Sequence, residues 1–511
     1  MRSFEHYLKE IGEVGHVESI VQSIVYVSGL PGVKLNEVVL TQTGQKGLVE
    51  SIGKELIEVL MLSSERILPG VQVTRTNETL KIPISLDILG RVVDPFMQPI
   101  DGLGPIKGEK TILPIERDAP GIKERVRITQ QLVSGVSLVD FLVPLGKGQR
   151  QLIMGDQKTG RTTFLLQAAI AQTLKGAICV YVGIGKKKSD MKFVEEYLRK
   201  TKAMESSVII FTSSADPSPL VHLAPFAGFT AAEYFRDQGR EVLIMLDDLT
   251  THAKFYREIS LLSSRMPARE SYPGDIFHVH ARLLERAGNF KKGPGSVSIT
   301  ALPVVETVQG DLTGFLPTNA MAMTDGHLFF DVSEFKKGRR PAINVSLSVT
   351  RVGNQTQRPL EQEIRKTLAE KLSRYRKALE IAHFGFDLPL QTRTELNFGE
   401  RLETVFDQES STIIDKSLAM LLFGLLLNDF WSAKQIEQVR VERAKIVEAN
   451  AKGLLTKITA KVSQALDLEG LKNAVKEEVG EVENILYSVL PEKEEGAIGN
   501  PNVKIQMTKE A

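Results

Sequence analysis

The sequence has a single cysteine, Cys179, in 511 residues. That excludes an intrachain disulfide framework and fits a reducing compartment. Cys179 lies in Ala177-Ile178-Cys179-Val180-Tyr181-Val182, which reads as a buried strand, so an inert packed thiol is expected rather than a nucleophile. Net charge is missing as well. Lys+Arg 64 against Asp+Glu 63 leaves +1, and no basic field marks a nucleic-acid partner. Long apolar runs are absent. The longest, Leu418 to Leu427, is too short to span a bilayer and reads as a core helix. The first residues, Met1-Arg2-Ser3-Phe4-Glu5-His6, show neither a secretory apolar core nor an acid-poor transit composition, so membrane association is expected only through partners. What remains is ordinary: 42% hydrophobic and 25% charged residues, with length for about three domains.

The informative stretch is Gly155-Asp156-Gln157-Lys158-Thr159-Gly160-Arg161-Thr162. It stands between the apolar Gln151-Leu152-Ile153-Met154 and the helical pattern that opens at Thr163. Strand, glycine-rich loop, helix is the context in which backbone N–H groups and a helix dipole cradle a polyphosphate. Thr162 occupies the position that puts a hydroxyl on magnesium, whereas Arg161 stands where lysine is the rule. Lysine is a compact point charge and arginine a planar fork, so binding is expected here and fast chemistry on a terminal phosphate is not. The matching acid is sought at the end of a second strand. Leu243-Ile244-Met245-Leu246-Asp247-Asp248 supplies it, with Asp247 read as the metal-side carboxylate, acting through water, and Asp248 as a helix cap. The clusters Lys186-Lys187-Lys188 and Lys336 to Arg340 read as solvated turns.

Taken in order, the chain divides into three. Short alternating segments punctuated by glycine and proline give an N-terminal β-barrel over 15–84. A turn-rich stretch to about Gly121 reads as surface wrapping without regular structure. Apolar strands alternating with helices then give a parallel sheet covered on both faces, within a phosphate-loop domain over 85–358. The rest, 359–511, reads as a helical bundle whose final residues, Glu492 to Ala511, look loosely ordered.

Barrel, phosphate-loop domain and helical bundle, in that order, resemble the large subunits of the F-type ATP synthase head, whose central domain is RecA-like. The segment Lys337-Gly338-Arg339-Arg340-Pro341-Ala342-Ile343-Asn344-Val345-Ser346-Leu347-Ser348-Val349-Thr350-Arg351-Val352-Gly353 resembles the alpha-type signature, with Thr350 where serine is usual. Tyr272-Pro273-Gly274-Asp275, Arg282-Leu283-Leu284-Glu285-Arg286 and Thr300 to Thr307 add to the likeness, which covers about 15–430. The resemblance implies ATP or ADP with Mg2+ on Gly155, Asp156, Gln157, Lys158, Thr159, Gly160, Arg161, Thr162 and Thr163. Thr162 and Asp247 fall on the metal side, and Arg340 and Gln408 near the adenine, with Ser410 where a second glutamine is expected.

It implies further that Arg351 is an arginine finger reaching into the catalytic site of a neighbouring beta subunit, three of which alternate with three alpha copies. Met266 to Glu270 would face the central gamma shaft. Contact with a peripheral stalk of delta and b subunits follows less directly, since the lead-in before Val17 is shorter than the family's N-terminal helix. A membrane sector would be reached indirectly, placing the chain on the cytoplasmic face of a bacterial plasma membrane or the equivalent organelle face. Two departures point away from turnover. Lys186 stands where the beta subunit carries its catalytic glutamate and alpha subunits usually a glutamine, and Arg161 stands for the loop lysine; Lys158, where the family usually has glutamine, is expected to supply the displaced ammonium charge. Ala322 replaces an interface serine. The expected function is a non-catalytic, regulatory alpha subunit; the alternative is an alpha-like subunit of a divergent rotary ATPase that mainly hydrolyses ATP.

Overall fold

In the computed structural model, which describes residues 3–382 and 388–488, six short strands close into a barrel. They are β1 (Val14–Val21), β2 (Ile24–Ser28), β3 (Glu37–Thr41), β4 (Lys46–Ile52), β5 (Ile57–Met61) and β6 (Gln72–Thr79), in the order β1-β2-β5-β4-β3-β6. Period-two alternation sends Val17, Val27, Val39, Val49, Val59 and Val73 inward, and closure leaves no free edge. Arg75 ties the wall by hydrogen bonds to Glu37 at 3.1 and 3.3 Å and to Glu13 at 3.0 Å.

The turn-rich stretch that follows is not wholly irregular. β7 (Lys81–Ile84) pairs antiparallel with β9 (Thr111–Pro114), and β8 (Val92–Val93) lies beyond it in the central sheet. The buried Ile82 and Ile84 recruit β9 as a partner. Four strand residues inside a proline- and glycine-rich segment are too few to show as a pattern. A second small pair joins β10 (Gln131–Leu132) to β11 (Leu145–Gly146).

The central strands are β12 (Leu152–Gly155), β13 (Ile178–Lys186), β14 (Ser207–Ser213), β15 (Val242–Asp247), β16 (Gly288–Lys292), β17 (Gly295–Glu306), β18 (Gly326–Phe330) and β19 (Val349–Thr350). Their order is β19-β18-β12-β17-β15-β13-β14-β8, with β16 antiparallel to β17, β19 antiparallel to β18, and the other pairings parallel. Strands such as β15 are buried at every position, as a sheet covered by helices on both faces requires. The expected strands and helices of this region all form, with ends shifted by a few residues. Val332 is the exception, since it opens the short helix Val332–Lys336 after the Asp331 cap.

Beyond Arg358 the structure is helical: Pro359–Ala382, Leu390–Phe406, Lys416–Leu427, Ile436–Ala451, Thr456–Ser463 and Leu468–Ser488. Lys416–Leu427 starts at Asp415, whose side chain accepts from Leu418 N–H, and it is buried from Leu418 to Leu426. Leu390–Phe406 and Thr456–Ser463 are helices that the sequence pattern does not announce. The first opens on polar, exposed turns, and its Gly399 looks like a breaker. A Cβ there would lie 2.0 Å from the Tyr375 ring, so glycine is what allows close contact with Pro359–Ala382. Expectations reaching Phe384, Leu490 and Glu492 to Ala511 lie outside the described residues. Among the described residues no helix is long and apolar enough to cross a membrane.

Candidate nucleotide site

The loop leaves the carboxyl end of β12, where parallel sheets collect their ligands. Its shape depends on glycine. Gly155 has φ 152°, and a Cβ there would stand 2.4 Å from the Phe330 carbonyl; Gly160 has φ 99°. Asp156 pins the turn from within, its Oδ1 accepting from the Thr307 hydroxyl at 2.5 Å and from Gly310 N–H at 2.9 Å. The Thr159 hydroxyl donates back to the Asp156 carbonyl at 2.7 Å. The helix Arg161–Thr173 begins at Gly160 with no side chain capping it. Its first-turn N–H groups and dipole are therefore left for an anion.

At the end of β15 the two aspartates do different work. Asp248 caps the helix Leu249–Leu262, accepting from Thr251 N–H at 2.6 Å, the role expected of it. Asp247 faces the loop: its Oδ2 accepts from Tyr181 Oη at 2.6 Å and from Thr162 Oγ1 at 3.4 Å. Lys186 then departs from expectation. Lys187 and Lys188 are exposed, but Lys186 is half-buried, with Nζ 2.8 Å from Asp247 Oδ1 and 2.8 Å from Asp248 Oδ2. Burial works against its charge, yet the two carboxylates outweigh it and hold the ammonium above its ordinary range. Burial likewise pushes Asp248 up, and Lys186 more than reverses that. The Tyr181 phenol is driven well above its usual value by burial and by Asp247.

Magnesium wants near-octahedral oxygen ligands and keeps several waters. Thr162 and Asp247 are donors of the right kind and lie side by side, but both Asp247 oxygens are engaged, one of them by a fixed cation. The donor set present does not fit the ion.

A cleft of about 620 Å³ opens over the loop, lined among others by Lys158, Arg161, Thr162, Arg340, Gln408 and Ser410. Lys158 to Thr163 of the loop thus meet Arg340, Gln408 and Ser410, though distant in sequence, whereas Gly155, Asp156 and Gln157 do not line the cleft. Not all of them are free to bind. The Gln408 amide is spent, accepting from Ser137 N–H at 3.2 Å and donating to the Gly135 and Thr412 carbonyls at 2.7 Å each. Arg340 lies over the Phe335 ring at 3.7 Å and donates to the Phe335 and Arg339 carbonyls, while Arg339 pairs with Glu334 and Glu403. The cluster Lys336 to Arg340 is therefore more than a solvated turn. Arg161 donates to the Val305 carbonyl at 3.2 Å, which draws it along β17, whereas Lys158 is exposed at the loop tip with φ 62°.

Arg351 follows β19 and does not line this cleft. It is exposed, and its guanidinium has no hydrogen-bond or ion-pair partner among the described residues. Two contributors escaped sequence reasoning. Tyr181 shows only a strand pattern in the sequence, and Phe335 sits just before the signature; an aromatic beside a phosphate-loop acid or a signature arginine is the available signal.

Barrel, helix-covered parallel sheet with an uncapped glycine loop, and helical region define a nucleotide-binding protein of the phosphate-loop class. A family model for the ATP synthase alpha/beta family, nucleotide-binding domain, matches residues 135–350. ATP synthase subunit alpha of Helicobacter pylori (strain G27) is 38% identical over 473 residues, 92% of this chain and 94% of that protein. ATP synthase subunit alpha of Mycoplasmoides gallisepticum is 42% identical over 413 residues, 80% of each chain. The chain belongs to the ATP synthase alpha/beta family, as a member of the alpha kind.

Proposed function

We propose that the chain is a non-catalytic alpha subunit of an F-type ATP synthase head, holding ATP or ADP in its own cleft without hydrolysing it. The observation that carries this reading is the Lys186 ammonium between Asp247 and Asp248. A group that activates water must offer a lone pair. A half-buried ammonium held by two carboxylates has none to offer. The phosphate contacts fall to the backbone from Gly155 to Thr163, with Lys158 and Arg161 as cations. Gln408 and Arg340 shape the adenine end, Gln408 through the backbone it holds rather than by its own amide. Thr162 and Asp247 hold no magnesium, because Lys186 already holds that acid.

Arg351 is the finger lent to an adjacent beta subunit, where it stabilises charge on the phosphoryl group in transfer. Its exposure and lack of a described intrachain partner support a role outside its own cleft. Three copies alternate with three beta subunits around a gamma shaft. The loop carrying Met266, which is 92% exposed, supports a shaft-facing surface. A stalk of delta and b subunits and a membrane ion-translocating sector complete the complex, with this chain peripheral on the cytoplasmic face of the membrane. The working division is 15–84, 85–358 and 359–511.

The test is a head reconstituted with beta and gamma subunits. Arg351→Ala should lower multisite turnover by about a thousandfold or more while this chain still binds ADP. The purified chain alone should show no ATP hydrolysis above background. An unchanged rate in the variant head would remove the finger role.

A further inference from the structure

We propose that Lys186 takes the place of the divalent cation, so that this cleft accepts ATP or ADP as the metal-free anion with an affinity indifferent to magnesium. The inference rests on reading the cleft as a nucleotide site. In a phosphate loop that uses magnesium, the second-strand acid holds the ion's water shell and the ion neutralises the outer phosphates. Here the acid is committed elsewhere. Lys186 Nζ stands 2.8 Å from Asp247 Oδ1 and 2.8 Å from Asp248 Oδ2, and Tyr181 Oη donates to Asp247 Oδ2 at 2.6 Å.

A divalent ion on that side would have to share Asp247 with a fixed positive charge in a half-buried place, where repulsion is poorly screened. The ammonium itself can do part of the ion's work. An ammonium carries three donors, and the two carboxylates take two. Lys186 also lines a hollow of about 220 Å³ together with Thr162 and Asp247, which leaves the third donor for a phosphate oxygen. Lys158 and Arg161 both line the cleft over the loop, and Lys186, its charge balanced by Asp247 and Asp248, lines the hollow that shares Thr162 with it, so the anion meets two uncompensated cations and one ammonium donor without any metal.

The experiment is equilibrium binding of ATP to the full chain by calorimetry, once in excess EDTA and once in excess magnesium. Wild type should bind with dissociation constants within about threefold of each other. Lys186→Gln leaves the two aspartates without their counter-charge and should bind at least about tenfold more weakly in EDTA than in magnesium. Lys186→Arg keeps the charge and should behave as wild type.

Should Lys186→Gln fail to fold, the wild-type protein still decides. Loaded with ATP and Mn2+ and freed of excess ligand by gel filtration, it should retain nucleotide without stoichiometric manganese in its paramagnetic resonance spectrum. A wild-type loss of tenfold or more in EDTA, one manganese per bound nucleotide, or a Lys186→Gln protein as indifferent to magnesium as wild type would each overturn the inference. Absence of ATP binding under both conditions would instead overturn the nucleotide reading of the cleft.

Discussion

Three histidines packed between helices make the stability of this protein fall in mild acid, by an amount the structure sets. His222, on Ser218–Asp237, stacks on His252, on Leu249–Leu262, with ring centroids 4.8 Å apart. His252 Nδ1 lies 3.0 Å from Nε2 of His280, on Ile276–Glu285, and its Nε2 lies 3.1 Å from the His222 carbonyl. A carbonyl only accepts, so His252 Nε2 must carry the proton. In the neutral ring Nδ1 is then bare and accepts from His280 Nε2–H. A second proton on His252 would turn its Nδ1 into a donor facing His280 Nε2–H in a buried place, so His280 would have to move its own proton to Nδ1 while a charge is buried between the helices. Tyr256 covers His222 from the other side, its ring stacked at 4.9 Å, and its hydroxyl donates to Asp275 at 2.7 Å.

Burial accordingly depresses all three rings, His252 from 6.5 to about 4 and the other two well below the ordinary value. A base whose value is depressed by folding contributes stability that is whole above 6.5 and lost as the pH falls toward 4. For His252 alone the loss is about 3 kcal/mol. Urea unfolding from pH 7 to 4.5, followed jointly by circular dichroism and by the fluorescence of the single, buried Trp431, measures it. His252→Gln keeps a donor for the His222 carbonyl but does not titrate, so it should remove its own share, about one third of that slope, while His222 and His280 still titrate. A variant whose stability falls as steeply as wild type would refute the assignment of the proton.

Three further outcomes are expected. Gly155→Ala places a Cβ 2.4 Å from the Phe330 carbonyl at φ 152°, so the loop must shift. Stability should drop by about 1–3 kcal/mol and ADP affinity with it, and an unchanged affinity by calorimetry would show that loop shape does not govern binding. Arg286 is 1% exposed and holds Glu233 through both oxygens at 2.9 Å. Arg286→Met should cost about 3–5 kcal/mol in denaturant unfolding, because it strips a buried carboxylate of its main partner. Cys179 is fully buried and burial pushes its thiol up. Iodoacetamide should leave it unmodified in the native protein and label it only on unfolding, as mass spectrometry would show.

Much of this architecture depends on information that lies close together along the chain. Alternating valines made the barrel strands, an apolar run between Asp415 and Asn428 made a buried helix, and strand-glycine loop-helix made the phosphate cradle. In each case a few adjacent residues settle local geometry and burial. Asp247 and Asp248 could be told apart in the same way, since capping is a contact over three residues.

What only the tertiary structure decided is which side chains from distant segments spend their charge or hydrogen bonds on one another. Gln408 is consumed by Gly135 and Thr412, Arg340 is laid on Phe335, and Gly399 admits Tyr375. The decisive case is Lys186. Parallel pairing of β13 with β15 sets Gly183 opposite Asp247, and an irregularity between Gly183 and Lys186 in the pairing of β13 with β14 lies where β13 delivers the ammonium to both aspartates. An ion pair between residues 61 and 62 positions apart is created by strand register and burial, and a lysine triplet read along the chain carries no trace of it.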